Sequence, residues 1–402
     1  MAIEIRPAEQ AEAKEYAKTM STVFAWELTE PGFERFQTTW EPERSQVAYE
    51  DGGIVATLGT FSLRMTVPGG SLPVGGTTQV SVLPTHRRQG LLRRLMIAHL
   101  REVAERGEPV AALWASESSI YGRFGYGAAS QVTELKVPTR HGAFHRLAPE
   151  PAPVRLLAIE DAKEVVPPIN ERTVAVYPGM FQRYDRWWQA RWFADTPSDR
   201  EGATSLRAAI STTGDGYVFY RQKFGWDEGN PAGKLMVADL QALSPESWAG
   251  LWRFVLSHDL VSTVEADLRS PQEPLLNLLA APRYAITRPG DGVWVRLVDP
   301  VGALSARRYS ATGALVIEAH DPLDGSAYTV LLEGGPEGAT CSRTDRAPDL
   351  VLDAEDLGGA YLGWARFGAL GRVGRVSGDH RTLALADAMF GWDPQPWCPE
   401  IF

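Results

Sequence analysis

The sequence predicts a mixed chain: two α/β units followed by a smaller α+β one. Three observations carry that expectation. Residues 80–94 read as a strand, a basic loop and a helix start. The order of elements around them recurs from Val154 onward without that loop. The last hundred residues switch to short strands followed by short helices. At 402 residues the chain is too long for one core and should divide into two to four domains.

Composition narrows the class. With 44% hydrophobic and 22% charged residues, this is an ordinary globular chain. A net charge of −10 argues against a general nucleic-acid role and should attract cations. The two cysteines, Cys341 and Cys398, are too few for a disulfide framework or a zinc site, so no metal is expected. The N-terminus, Met-Ala-Ile-Glu-Ile-Arg-Pro, lacks the basic flank and apolar run of a leader, and no apolar run is long enough to span a bilayer. A cytoplasmic protein with no membrane contact is expected.

Taken in order, Ile3 and Ile5 alternate with charged residues in an opening strand, and residues 8–20 are rich in helix formers. Phe24, Trp26, Phe33, Phe36 and Trp40 follow at loose helical spacing, as core residues or as one wall of a pocket. Strands at 45–50 and 53–66 flank Asp51-Gly52, a hairpin signal, and another turn at 68–70 leads into the strand that ends at Leu83. The helix from about Leu91 to Arg106 is amphipathic, and His99 beside its apolar stripe reads as structural. Residues 109–115 fit a buried central strand. Ser116-Glu117-Ser118-Ser119 then offers N-caps for a short helix carrying Tyr121, and 129–137 is a further strand.

Prolines between 138 and 155 mark a domain boundary. A strand at 154–158, a helix through 160–166, strands at 204–211, 216–224 and 234–242, a helix begun by Ser244-Pro245 and a strand at 263–268 repeat the first order. Where the first unit has His86-Arg87-Arg88-Gln89-Gly90, the second has Leu243-Ser244-Pro245-Glu246-Ser247, with a carboxylate and no base. It should not bind phosphate. Residues 292–298 close this unit, leaving domains at 1–145, 146–298 and 299–402.

The basic loop suits an anion, because helix N-terminal N–H groups point outward unpaired and the helix dipole favours negative charge there. Arg87, Arg88 and Arg93 add charge-assisted donors, and Gly90 lets a ligand approach the backbone. A solvated surface or an RNA-binding patch presents the same pattern. The free edge of the strand at Val80 and Val82 would pair with the amides of a pantetheine arm, with the pyrophosphate of acetyl-CoA on the N–H groups from Arg88 to Arg93. A tyrosine hydroxyl, with a pKa near 10, is a suitable acid for a leaving thiolate, which singles out Tyr121.

Arg87-Arg88-Gln89-Gly90 is similar to the Arg/Gln-x-x-Gly-x-Gly/Ala motif of the GNAT N-acetyltransferases, and Ile120-Tyr121-Gly122-Arg123-Phe124-Gly125-Tyr126 resembles that superfamily's Phe-Tyr-x-x-x-Gly-Phe segment. Together with the residues around them, both look more narrowly like the Eis (enhanced intracellular survival) family. The resemblance covers essentially the whole chain and implies tandem GNAT folds, the second degenerate, with a C-terminal sterol-carrier-protein-like domain. It implies acetyl-CoA as co-substrate, with Val80, Ser81 and Val82 on the pantetheine arm and Arg88, Gln89, Gly90, Leu91, Leu92 and Arg93 on the pyrophosphate. Ser116 and Glu117 would line the cofactor, Tyr121 would be the general acid, and the C-terminal carboxylate of Phe402 the base. The acceptor would be a primary amine of a small cationic molecule, an aminoglycoside or a polyamine or lysine-like compound, and the assembly a homohexamer. Three features depart from the pattern: Leu92 closes the Gly-x-Gly/Ala motif, Ile401 stands where aminoglycoside-acetylating relatives carry glutamate, with Glu400 one step earlier, and Trp26 and Trp114 imply a bulkier pocket. A protein binding lipid or sterol through residues 300–402 is the alternative.

Overall fold

The computed structural model describes residues 3–402; Met1 and Ala2, which fall in the expected first domain and in the reading of the N-terminus, lie outside them. Strand β1 (Glu4–Pro7), helices α1 (Ala13–Phe24) and α2 (Glu30–Thr39) and strands β2 (Gln46–Glu50), β3 (Gly53–Val67) and β4 (Gly70–Val82) come first. Helix α3 (Leu91–Glu105), strand β5 (Val110–Trp114), the short helix α4 (Ser118–Tyr121) and strand β6 (Gly127–Ala128) follow. Next are β7 (Gln131–Pro138), β8 (Val154–Leu157), helix α5 (Ile159–Val174), β9 (Arg207–Ser211) and β10 (Gly216–Lys223). A small ribbon, β11 (Trp226–Asp227) with β12 (Asn230–Pro231), precedes β13 (Gly233–Ala242), β14 (Val261–Arg269), β15 (Ile286–Asp291) and β16 (Val293–Leu297). The last five strands are β17 (Gly313–His320), β18 (Ala327–Gly335), β19 (Gly338–Arg343), β20 (Leu350–Asp353) and β21 (Val376–Ser377).

Local signals explain most of these elements. Asp51 and Gly52 take positive φ values of 51° and 89° and close the β2–β3 hairpin. Helix α3 buries Leu91, Leu95, Met96, Leu100 and Val103 along one stripe. Ser244 caps the helix Pro245–Leu256 by accepting from the Ser247 N–H, with Pro245 in the first turn. The early aromatics divide: Phe36 and Trp40 are buried against Tyr16, whereas Phe24 and Trp26 are 43% and 39% exposed.

The chain forms two compact units, one made of residues up to Ser130 with 292–396 and 401–402, the other of 131–291 with 397–400. The first contains a seven-stranded sheet ordered β1-β2-β3-β4-β5-β16-β6, antiparallel except where β4 meets β5. The second contains a seven-stranded sheet ordered β8-β9-β10-β13-β14-β7-β15, again with one parallel pair, β13–β14. The two orders match position by position, as the repeated element order implies.

One feature differs from the sequence reading. The sequence places the strand at 129–137 in the first unit and that at 292–298 in the second. Instead β7 lies in the second sheet, and β16 lies in the first between β5 and β6. Alternating apolar residues specify a strand and its buried face; they do not specify which fifth strand it pairs with.

Within the first unit, residues after 299 add a five-stranded sheet ordered β19-β18-β17-β20-β21. Its core includes Leu315, Ile317, Leu332, Leu352 and Leu357, with Tyr361 and Leu362 fully buried. The helix Ala354–Ala360 lies directly on β6: a Cβ on Gly127 would sit 1.9 Å from the Glu355 carbonyl oxygen, so only glycine fits. Among the described residues no helix is long and apolar enough to cross a membrane.

Candidate active site

The site grows out of a ladder that stops. β4 pairs with β3 as far as Val82, but its parallel ladder with β5 covers only Val74–Gly76 against Val110–Ala112. Beyond Gly76 the two central strands part, leaving one edge of β4 without a strand neighbour. A bulge falls in this stretch, at Gln79, whose φ is +54°. Thr57 pins it, its Oγ1 donating to the Gln79 carbonyl at 2.7 Å and lying 2.6 Å from Ser81 Oγ.

The basic loop follows. Gly90, with φ +76°, is the N-cap of α3 and makes no side-chain cap, and a Cβ there would meet nothing within 4 Å. The first-turn N–H groups of Leu91, Leu92 and Arg93 have no partner within the helix and no side-chain cap from Gly90. Arg88 (φ +62°), Gln89 and Arg93 are exposed. Leu91 is 2% exposed in the core, so it can offer a ligand only its backbone. His86 holds the loop through Glu50 at 2.9 Å, and Arg93 Nη2 donates to the Leu323 carbonyl at 2.8 Å.

After β5, Ser116 and Glu117 are exposed; Glu117, rather than a serine, is the N-cap of α4, and no side chain closes the cap. At the end of α4, Tyr121 is 4% exposed. Burial pushes its hydroxyl above the ordinary tyrosine value, the Glu117 charge adds to the rise, and a hydrogen bond with Ser116 opposes it. Tyr121 belongs to the apolar cluster against which Val80, Val82, Leu92 and Ile120 also pack. The structure thus brings together β4, the start of α3 and Tyr121. Phe402, in the same unit, is buried.

A polar network missed by the sequence reading lies beneath. His99, fully buried, sits 2.8 Å from Thr60 Oγ1 through Nδ1 and 2.7 Å from Thr77 Oγ1 through Nε2. Thr77 Oγ1 is 2.9 Å from the Tyr126 hydroxyl, and the Tyr126 ring meets Tyr121 edge-on at 6.4 Å. Thr77 is the first residue past the end of the β4–β5 ladder, so side-chain bonds replace backbone ones where the strands part. A lone histidine on an apolar helix face was the available signal.

The equivalent place in the second sheet is filled. The β13–β14 ladder also ends early, at Val237. There, however, Asp239 and Gln241 are buried and bonded to Tyr217, Arg183 and Asn170. At the N-terminus of the helix Pro245–Leu256, Asp215 accepts from Ser247 Oγ at 2.5 Å. Burial works against its charge, but hydrogen bonds from Ser244, Ser247 and Thr213 hold its carboxyl below the usual range. An internal carboxylate thus occupies the end that is open in α3.

Among the described residues there is no group of three or more His, Cys, Asp or Glu able to hold a metal ion.

Family comparisons agree with this architecture. Residues 4–129 and 179–297 each match a model described as an acetyltransferase (GNAT) domain, and residues 300–399 match a sterol carrier protein domain. The fold is that of a GNAT N-acetyltransferase. The chain is 34% identical to an uncharacterized N-acetyltransferase of Streptomyces griseus over the full length of both. It is 33% identical to the N-acetyltransferase Eis of Mycobacterium tuberculosis, over 89% of this chain and 90% of that one. The crystal structure of Eis1 from Mycobacterium abscessus superposes with a TM-score of 0.85 at 30% identity, covering 99% and 100% of the two chains. The chain belongs to the Eis-like family of GNAT N-acetyltransferases.

Proposed function

We propose that this acetyltransferase moves an acetyl group from acetyl-CoA to a primary amine of a small cationic acceptor, of the aminoglycoside or polyamine and lysine-like kind. The observation that carries the reading is the parting of β4 and β5 beside an uncapped helix N-terminus, with Tyr121 buried in the cluster behind them. The open space at Gly90 and the exposed Arg88 and Arg93 fit a pyrophosphate, and the strand edge at Val80, Ser81 and Val82 fits the amides of a pantetheine arm. Leu91 and Leu92 would contribute backbone N–H groups, Gln89 its amide, and Ser116 and Glu117 the opposite lining.

Bound acetyl-CoA supplies the acetyl thioester. Tyr121 holds the proton that the departing sulfur takes, and its raised pKa keeps that proton in place at neutral pH. The Phe402 carboxylate takes one proton from the acceptor's ammonium, so that the free amine can bond the thioester carbon; the second proton, shed by nitrogen as the C–N bond forms and the C–S bond breaks, returns to Tyr121 in place of the one given to sulfur. The net charge of −10 favours such an acceptor. A homohexamer belongs to the same reading on family resemblance, and a cytoplasmic location on the sequence expectation.

The test is thiol release from acetyl-CoA with a panel of aminoglycosides, polyamines, lysine peptides and arylalkylamines. Turnover with the polycationic amines is expected; turnover confined to uncharged amines would overturn the acceptor assignment.

A further inference from the structure

The loop between β17 and β18 belongs to the third part of the chain, yet it ends against the basic corner of the first sheet. Leu323 in this loop accepts from Arg93 Nη2 at 2.8 Å through its carbonyl. Its side chain packs against the same apolar cluster as Val80, Val82 and Leu92.

The loop is firmly held. Asp321 Oδ1 accepts from the Leu323 N–H at 2.9 Å, and the Asp321 and Gly325 N–H groups bond within the turn at 2.8 and 2.9 Å. Arg296, on β16 and only 8% exposed, grips both Asp321 carboxylate oxygens at 3.2 and 2.5 Å. The same guanidinium donates to the Phe124 carbonyl at 2.5 Å, three residues after Tyr121 in the chain. One buried arginine therefore fixes the loop to the segment that carries the catalytic tyrosine.

The geometry points to the 321–326 loop as a positioning element of the coenzyme site, holding Arg93 for a phosphate-bearing ligand. The inference rests on the reading of residues 88–93 as the pyrophosphate clamp. An unrestrained arginine loses rotamer freedom when it binds. The Leu323 carbonyl takes one of its N–H donors and leaves the rest of the planar fork for phosphate oxygens, so part of that loss is met before the ligand arrives. It also gives the C-terminal domain a role in acetyl-group transfer that does not require a lipid.

The experiment is a calorimetric titration of CoA into the full-length chain and its variants. Asp321→Ala and Leu323→Ala should each weaken CoA binding about tenfold. Neither loop change should weaken binding further in an Arg93→Ala background, because the loop acts through that side chain. Under steady-state assay, KM for acetyl-CoA should rise with kcat little changed.

Equal weakening with and without Arg93 would overturn the proposal, as would wild-type affinity in both loop variants. If Arg88→Ala and Arg93→Ala themselves leave CoA affinity untouched, the clamp reading fails and the loop proposal fails with it. If Asp321→Ala does not fold, with Arg296 left uncompensated, Leu323→Ala completes the same cycle without exposing a buried charge.

Discussion

Arg183 Nε donates to a Glu400 carboxylate oxygen 2.6 Å away, and both side chains are buried. The other arm of the guanidinium meets Asp239 at 2.9 Å, and the indole N–H groups of Trp187 and Trp192 also bond to Glu400. Burial opposes the charge on Arg183, but Glu400 and Asp239 outweigh it and drive its pKa up. Glu400, the acidic residue nearest the C-terminus, is thus committed to structure. Arg183→Met would strand two buried carboxylates and should cost roughly 3–5 kcal/mol. Urea unfolding of the transition that carries the second unit would measure it; a loss below about 1 kcal/mol would fit a solvated surface pair instead.

His99 makes a second prediction, read in acid. Burial pushes its imidazole down to about 3, with repulsion from Arg44 and Arg296 adding to the effect. In the unfolded chain the group titrates near its ordinary 6.5, so between those values the unfolded state binds the extra proton. The stabilisation is whole above pH 6.5 and drains as the pH falls toward 3, by an amount on the order of 5 kcal/mol. His99→Gln, which keeps hydrogen bonds to Thr60 and Thr77 without titrating, should flatten the loss of unfolding free energy across that window. Identical acid profiles for the two proteins would show that His99 is already charged in the fold.

The proposed acid role of Tyr121 makes a third prediction. Tyr121→Phe should lower kcat by about 10²–10⁴-fold while CoA affinity stays at the wild-type value, because a proton donor acts on the reaction and not on binding. Since burial and Glu117 raise its pKa, loss of this proton should not limit the rate until above the ordinary tyrosine range. Full turnover in the Phe variant would remove Tyr121 from the acid's role.

The sequence already carried the local part of this picture. Pro84, Gly90 and the amphipathic run after it place a strand end, an open helix start and basic side chains together, whatever the rest of the chain does. Ser244-Pro245 announced its helix in the same way. What stayed hidden depends on partners far apart. The exchange of β7 and β16 between sheets leaves no mark on either strand's alternation. The Arg93–Leu323 bond and the Arg183–Glu400 pair join residues more than two hundred positions apart. Even Pro167 and Pro168, ordinarily helix breakers, lie inside α5. The sequence marks His99 as structural, but its bonds to Thr60 and Thr77 exist only once three separate elements have packed.

The central claim is that one site, lined by Tyr121, is completed by the C-terminal carboxylate of Phe402. The direct measurement compares the full-length chain with one lacking Phe402, using thiol release under saturating acetyl-CoA and acceptor, with CoA affinity measured alongside. The expected result is a fall in kcat of about 10²–10⁴-fold at unchanged CoA affinity, the signature of a lost general base. Wild-type kcat in the shortened chain would contradict the claim.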